Sequence, residues 1–226
     1  VIENKHCLKQ LGDKMDITGA IFDFDGTLFD SMHVWKGYKD NFFNYLGIEL
    51  TDEDKEAFKG LFLQETFLLA IERFKLGKTY EELLSMLFDY IKSRYLTETE
   101  PKNDIIEFLE KLKAKGVKMG IATATGEPAL MAVLEKYNMA EYFSAVYSTY
   151  TVGASKTEPK VYDVVLEELG TPKETTWVFE DALYAAKTAK ANDYNLVGIY
   201  DESEENTKEL EQLADIYIHN YSEIKL

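Results

Sequence analysis

The sequence predicts an α/β fold: a parallel β-sheet with helices on both faces, interrupted once by a small all-helical module. Two observations carry this. Short apolar runs rich in β-branched or aromatic residues alternate with segments whose apolar spacing is near one helical turn, and strand–helix–strand repetition builds parallel sheets covered on both sides. One stretch, residues 30–100, breaks that alternation because it keeps helical periodicity throughout.

Taken in order, the first strand is expected at residues 20–22. The inserted module then supplies helices at 32–46, 52–58, 64–75 and 80–96, separated at Gly47, Gly60 and Gly77. Beyond it, helices are expected at 104–115, 128–137, 159–169, 182–191 and 203–213, and strands at 117–122, 145–148, 176–179, 196–200 and 216–218. Pro101, Pro128 and Pro159 fall where first helical turns are expected, and Gly116 and Gly170 follow helix ends, as the chemistry of helix termini favours. The resulting division is an extension at 1–16 that contributes nothing to the core, an α/β domain at 17–30 and 100–226, and a helical domain at 31–99. An all-helical insertion directly after a strand end suggests a lid over whatever that strand end carries.

Composition narrows the function. At 226 residues, 46% hydrophobic and 13% aromatic, the chain has enough apolar surface for one α/β core plus a small second module. Lys and Arg number 25 against 41 Asp and Glu, a formal charge of −16, which argues against nucleic acid or an anionic membrane as the main partner. Cys7 is alone and forms no internal disulfide, no Cys/His cluster has zinc-ligand spacing, and no apolar run is long enough to span a bilayer. The opening residues lack a signal peptide's apolar stretch. A reducing, cytoplasmic setting and a monomer or weak dimer are therefore expected.

Four segments carry candidate chemistry. The first strand ends in Asp23-Phe24-Asp25-Gly26-Thr27, two carboxylates at the edge where open parallel sheets bind ligands. Such a pair repels unless a proton or a hard, oxygen-ligated cation such as Mg²⁺ intervenes, although Asp-x-Asp-Gly turns also arise as ordinary structure. Thr123-Ala124-Thr125-Gly126 follows the second predicted strand of the sheet and offers hydroxyls and backbone N–H groups to a phosphate at a helix N-terminus, or simply caps that helix. Lys156 stands three residues before Pro159, where a point cation could neutralise phosphate oxygens or merely be solvated. Glu180-Asp181 closes an apolar strand. All four fall at or just beyond strand carboxyl ends, a coincidence that packing alone does not require.

On these residues the chain resembles the haloacid dehalogenase superfamily, whose four motifs correspond to Asp23-Phe24-Asp25-Gly26-Thr27, Thr123, Lys156 with Pro159, and Glu180-Asp181. The resemblance runs from about Ile17 to the C-terminus and implies a Rossmann-like core with a helical cap inserted between motifs one and two. It implies that Asp23 is a nucleophile forming an aspartyl-phosphate and that Asp25 is the general acid and base. It also implies Mg²⁺ held by the Asp23 carboxylate, the Asp25 backbone carbonyl and Asp181, with Glu180 at or next to the ion. Thr123, the backbone around Phe24 and Ala124, and Lys156 would hold the phosphoryl oxygens. The implied activity is a phosphatase acting on a small phosphorylated metabolite. Ala182-Leu183-Tyr184-Ala185 departs from the pattern, since a serine and then a glycine are common after the acidic pair.

Rival readings are weighed against particular residues. Dehalogenase members lack a second aspartate in motif one and need no metal, so Asp25 and Glu180-Asp181 argue against that chemistry. Residues 59–66 resemble the cap segment of β-phosphoglucomutase, but Leu63 stands where that enzyme's arginine grips a second phosphate, and losing a fork-shaped cation disfavours a bisphosphate. A phospho-accepting receiver uses similar groups but places its phosphorylated aspartate on the third strand and has no helical lid. Retention of all four motifs argues against a silent binding protein. Leu61, Phe62 and Leu63 read as cap core ahead of substrate contacts, His33 as a satisfied surface or interface histidine, and Trp35, Tyr38 and Phe42 as cap packing.

Overall fold

A computed structural model of the chain describes residues 15–226; residues 1–14, Cys7 among them, lie outside the described residues. In chain order the strands are β1 (Gly19–Phe22), β2 (Phe29–Asp30), β3 (Glu100–Pro101), β4 (Lys118–Thr123), β5 (Ala145–Ser148), β6 (Thr176–Glu180), β7 (Asn195–Ile199) and β8 (Ile216–Ile218). The α-helices are α1 (Met32–Trp35), α2 (Tyr38–Tyr45), α3 (Asp52–Phe58), α4 (Leu63–Phe74), α5 (Tyr80–Glu98), α6 (Ile105–Ala114), α7 (Glu127–Lys136), α8 (Thr149–Val152), α9 (Lys160–Leu169), α10 (Leu183–Ala191) and α11 (Thr207–Leu213). The chain divides into two compact units, one of the described residues up to Met32 with Thr99–Leu226, the other His33–Glu98.

The first unit is built on a six-stranded sheet of order β5-β4-β1-β6-β7-β8, with every neighbouring pair parallel. This is a doubly wound sheet, and its topological switch point lies between β1 and β6, where ligands of such sheets bind beyond the strand ends. Successive side chains leave a strand on opposite faces. Ile21 and Val178 accordingly pack on one side with Val161, Tyr162 and Val165 of α9 and Leu183 of α10. Phe22 stacks on Phe179, whose ring also meets Phe108 and Tyr221, in a second buried layer.

The second unit is helical throughout. Phe42, Phe43, Phe58, Phe67, Leu83, Leu87 and Ile91 are buried, and Phe43 stacks on Phe58 at 5.4 Å. The Trp35 indole donates to the Tyr95 hydroxyl at 2.7 Å, and Phe42 is fully buried, so this aromatic group packs the helices as its spacing predicts.

Several expectations need correction. Residues 32–46 form two helices rather than one, because Gly37 takes a left-handed φ of 63° between α1 and α2. Pro101 does not open a helix; it pairs with Phe29 in the two-residue antiparallel ribbon of β2 and β3, and α6 begins at Ile105. The last helix starts at Thr207, not 203, because Asp201 accepts from the Ser203 N–H and hydroxyl and Glu204 accepts from the Asn206 N–H. Those local bonds hold the segment in turns. α8 was not foreseen; Ser148 caps it by accepting from the Thr151 N–H. Phe62 is 81% exposed and so is no part of a cap core. The end of the supposed extension also joins the first unit, since Met15 is buried and the Asp16 carbonyl accepts from the Trp177 indole.

Candidate active site

β1 delivers Asp23 to the switch point and β6 delivers Glu180 beside it. Phe22 is paired with Phe179, and the Asp23 N–H donates to the Phe179 carbonyl at 3.0 Å, so the residues that follow leave the sheet side by side. Asp23, Glu180 and Asp181 are all buried, and one carboxylate oxygen from each lies within 4.8 Å of the others.

Lys156 reaches the same place from the loop before α9. It is only 2% exposed, and its ammonium lies 2.7 Å from Asp23 Oδ1 and 2.9 Å from Glu180 Oε2. Burial alone would lower the Lys156 pKa, but Asp23 and Glu180 outweigh it and hold the group charged, well above its ordinary value. Burial, then Glu180, push Asp23 up to about 7 against the opposing pull of Lys156. Asp181 is raised well above the carboxylate range by burial, Glu180 and Asp23. Three buried carboxyl groups crowd one ammonium, which makes it costly for all three to be ionised together, and an all-oxygen donor set of this kind fits a hard divalent cation.

Two neighbours fix the geometry. Thr27 donates to Asp181 Oδ1 at 2.8 Å, and the Tyr221 hydroxyl donates to the Thr27 carbonyl at 3.1 Å. Gly26 has φ 71°, and a Cβ there would stand 2.2 Å from Asp181 Oδ2. The turn therefore needs glycine both for its backbone and for the carboxylate packed against it.

Asp25 is arranged differently. Its carboxylate lies outside the three-residue group; Ser31 donates to Oδ1 at 2.6 Å and Thr125 donates to Oδ2. Thr123, the last residue of β4, is fully buried, and its hydroxyl accepts the Thr125 N–H at 3.0 Å. Ala124 is exposed at the turn ahead of α7, whose N-cap is Gly126.

The structure thus brings Asp23, Lys156, Glu180 and Asp181 into one cluster and joins Asp25 to the β4 end through Thr125. Sequence reasoning passed over Thr27, Ser31 and Thr125 as partners of the carboxylates, although all three lie within or next to its motifs. It also passed over Tyr162, whose hydroxyl donates to Glu180 at 3.2 Å; its buried ring fits the apolar spacing of α9.

Fold and site together define a class, the Rossmann-like α/β proteins with an acidic, lysine-bearing site at the carboxyl edge of the sheet. Residues 20–199 match the family described as haloacid dehalogenase-like hydrolase, and the chain belongs to that family. Among its relatives, the phosphorylated carbohydrates phosphatase of Thermotoga maritima is 27% identical, over 76% of this chain and 80% of its own. The phosphoglycolate phosphatase of Aquifex aeolicus is 26% identical, over 71% of this chain and 74% of its own. A solved structure, β-phosphoglucomutase from Clostridium difficile, superposes with a TM-score of 0.66 over 93% of this chain and 94% of that one. At 19% identity the last comparison speaks for the fold alone.

Proposed function

We propose that this protein is a Mg²⁺-dependent phosphatase that hydrolyses a small phosphorylated metabolite through an aspartyl-phosphate on Asp23. The observation that carries the reading is the contact of Asp23 with buried Lys156 in the same cluster as Asp181 and Glu180. A carboxylate and a phosphate dianion repel, and attack is feasible only where fixed positive charge offsets both. The relatives' names support the same substrate class: phosphorylated carbohydrates for one and phosphoglycolate for another.

In this reading a carboxylate oxygen of Asp23 attacks phosphorus in line with the ester oxygen, and the bond to the leaving alkoxide breaks as the new P–O bond forms. Asp25, oriented by Ser31 and Thr125, gives its proton to that alkoxide. It then takes a proton from the water that attacks the aspartyl-phosphate, and the Asp23 carboxylate is regenerated as phosphate departs. Lys156 keeps one N–H for a phosphoryl oxygen after meeting Asp23 and Glu180. Thr123 is oriented by the N–H it accepts and offers its hydroxyl proton to a second, with backbone N–H groups near Phe24 and Ala124 completing the cradle. Mg²⁺, held by Asp23, the Asp25 carbonyl and Asp181 with Glu180 beside them, would supply the remaining charge neutralisation. The proposal retains the division into a hydrolase core, residues 17–30 and 100–226, and a helical cap domain, residues 31–99.

Asp23→Asn should abolish phosphate release from an aryl phosphate while the far-ultraviolet circular dichroism stays unchanged, and the unaltered enzyme should lose activity in EDTA and regain it with Mg²⁺. Turnover by the Asn variant would remove the nucleophile from this scheme.

A further inference from the structure

The two oxygens of Glu180 are not equivalent. Oε2 accepts from Lys156 Nζ at 2.9 Å and from the Tyr162 hydroxyl at 3.2 Å, while among the described residues Oε1 accepts only from the Ala182 N–H, at 3.3 Å. A carboxylate oxygen has two lone-pair positions. Oε2 is therefore filled, and Oε1 keeps one position to offer. Both donors to Oε2 come from one short segment, the loop ahead of α9 and the first turn of that helix. Tyr162 is itself fixed, with its ring fully buried and packed on Tyr194.

We infer that Tyr162 is a positioning residue for the metal site: its hydroxyl holds the Glu180 carboxylate so that Oε2 stays on Lys156 and Oε1 keeps a lone-pair position that a cation could use. This rests on the metal reading above and adds to it a residue that lies one layer behind the acidic cluster. Without the hydroxyl, Oε2 loses one of its two donors in a buried site, and the carboxylate is held less firmly against turning about its last bond. Groups that orient metal ligands from behind typically contribute about 10–100-fold to metal affinity.

Binding of Mn²⁺ to the metal-free protein, followed by the loss of the free-ion paramagnetic resonance signal and by Mg²⁺ competition, tests this without any turnover. Tyr162→Phe keeps the ring and its packing and should weaken binding about tenfold. Tyr194→Phe removes another buried hydroxyl, one bonded to Asp163 at 2.6 Å, and should leave binding within about twofold of the unaltered protein. In a Glu180→Gln background the Tyr162→Phe change should add nothing, because its effect runs through Glu180. Unchanged affinity in Tyr162→Phe, equal losses in both tyrosine variants, or additive losses in the double variant would each overturn the inference. Failure of the unaltered protein to bind Mn²⁺ would overturn the metal reading itself, and this inference with it.

Discussion

At Gly26 two demands meet in one residue: a left-handed backbone and the absence of a Cβ where Asp181 must lie. Gly26→Ala should cost about 1–2 kcal/mol in backbone strain alone, and more because Asp181 must shift. A lowered melting temperature together with weakened divalent-ion binding would show both effects; a drop in stability with unaltered ion affinity would show that the carboxylate had not moved. The carboxylates and lysine of this site were legible in the sequence because each sits in a short motif at a strand end. Their hydroxyl partners were less so. Ser31 and Thr125 reach Asp25 from 6 and 100 residues away, and no local pattern marks which Ser or Thr a carboxylate will find. Tyr162 was hidden for a different reason: it satisfies the apolar period of α9, so its ring accounts for its position before its hydroxyl is considered.

Among the elements, α3 shows how local chemistry sets a boundary. Thr51 accepts the Asp54 N–H at 3.2 Å, and Asp54 accepts the Thr51 N–H at 2.9 Å, a reciprocal cap that Arg73 reinforces from α4 by pairing with Asp54. Thr51→Ala should cost about 1 kcal/mol, read as a fall in melting temperature of about 2–4 °C for a protein of this size. A helix with so strong a signature was placed correctly from sequence, as were the six strands of the main sheet to within a residue or two. β2 and β3 escaped because two residues are too few to show alternation, and Pro101 pointed instead to a helix start. Their pairing depends on residues far apart in the chain, Phe29 with Pro101 and Asp30 with Glu100. The 203–213 helix was begun too early because periodicity cannot see that Asp201 and Glu204 have already claimed the local N–H groups.

Across the whole molecule, acid stability should depend on pairs such as Asp201 with Lys102, 2.6 Å apart and joining segments 99 residues distant. Burial would raise the Asp201 pKa, but the bonds from Lys102 and Ser203 outweigh it and hold the carboxyl below its ordinary value of 3.8. A carboxyl depressed on folding stabilises fully above its unfolded pKa, and that contribution is lost as pH falls through the folded one. Asp201→Asn should therefore lower the urea midpoint at pH near 6, and the gap from the unaltered protein should narrow as pH falls below 3.8. A gap that stays constant would remove the pair from the acid response. The fold class, the order of elements and the helical character of the second unit followed from periodicity, whereas the edge contacts of Met15 and Asp16 did not, being made by residues with no periodic signal. The switch-point architecture also has a consequence for biosynthesis. Thr27 and Asp181, which touch in the finished site, are 154 residues apart, so a ribosome exposes the strand that leads into Asp23 roughly 8–30 s before the acids that complete the cluster. Throughout that interval the nascent chain carries an apolar strand with its β6 edge uncovered, and any early release of the polypeptide before β6 yields a fragment that lacks both Glu180 and Asp181.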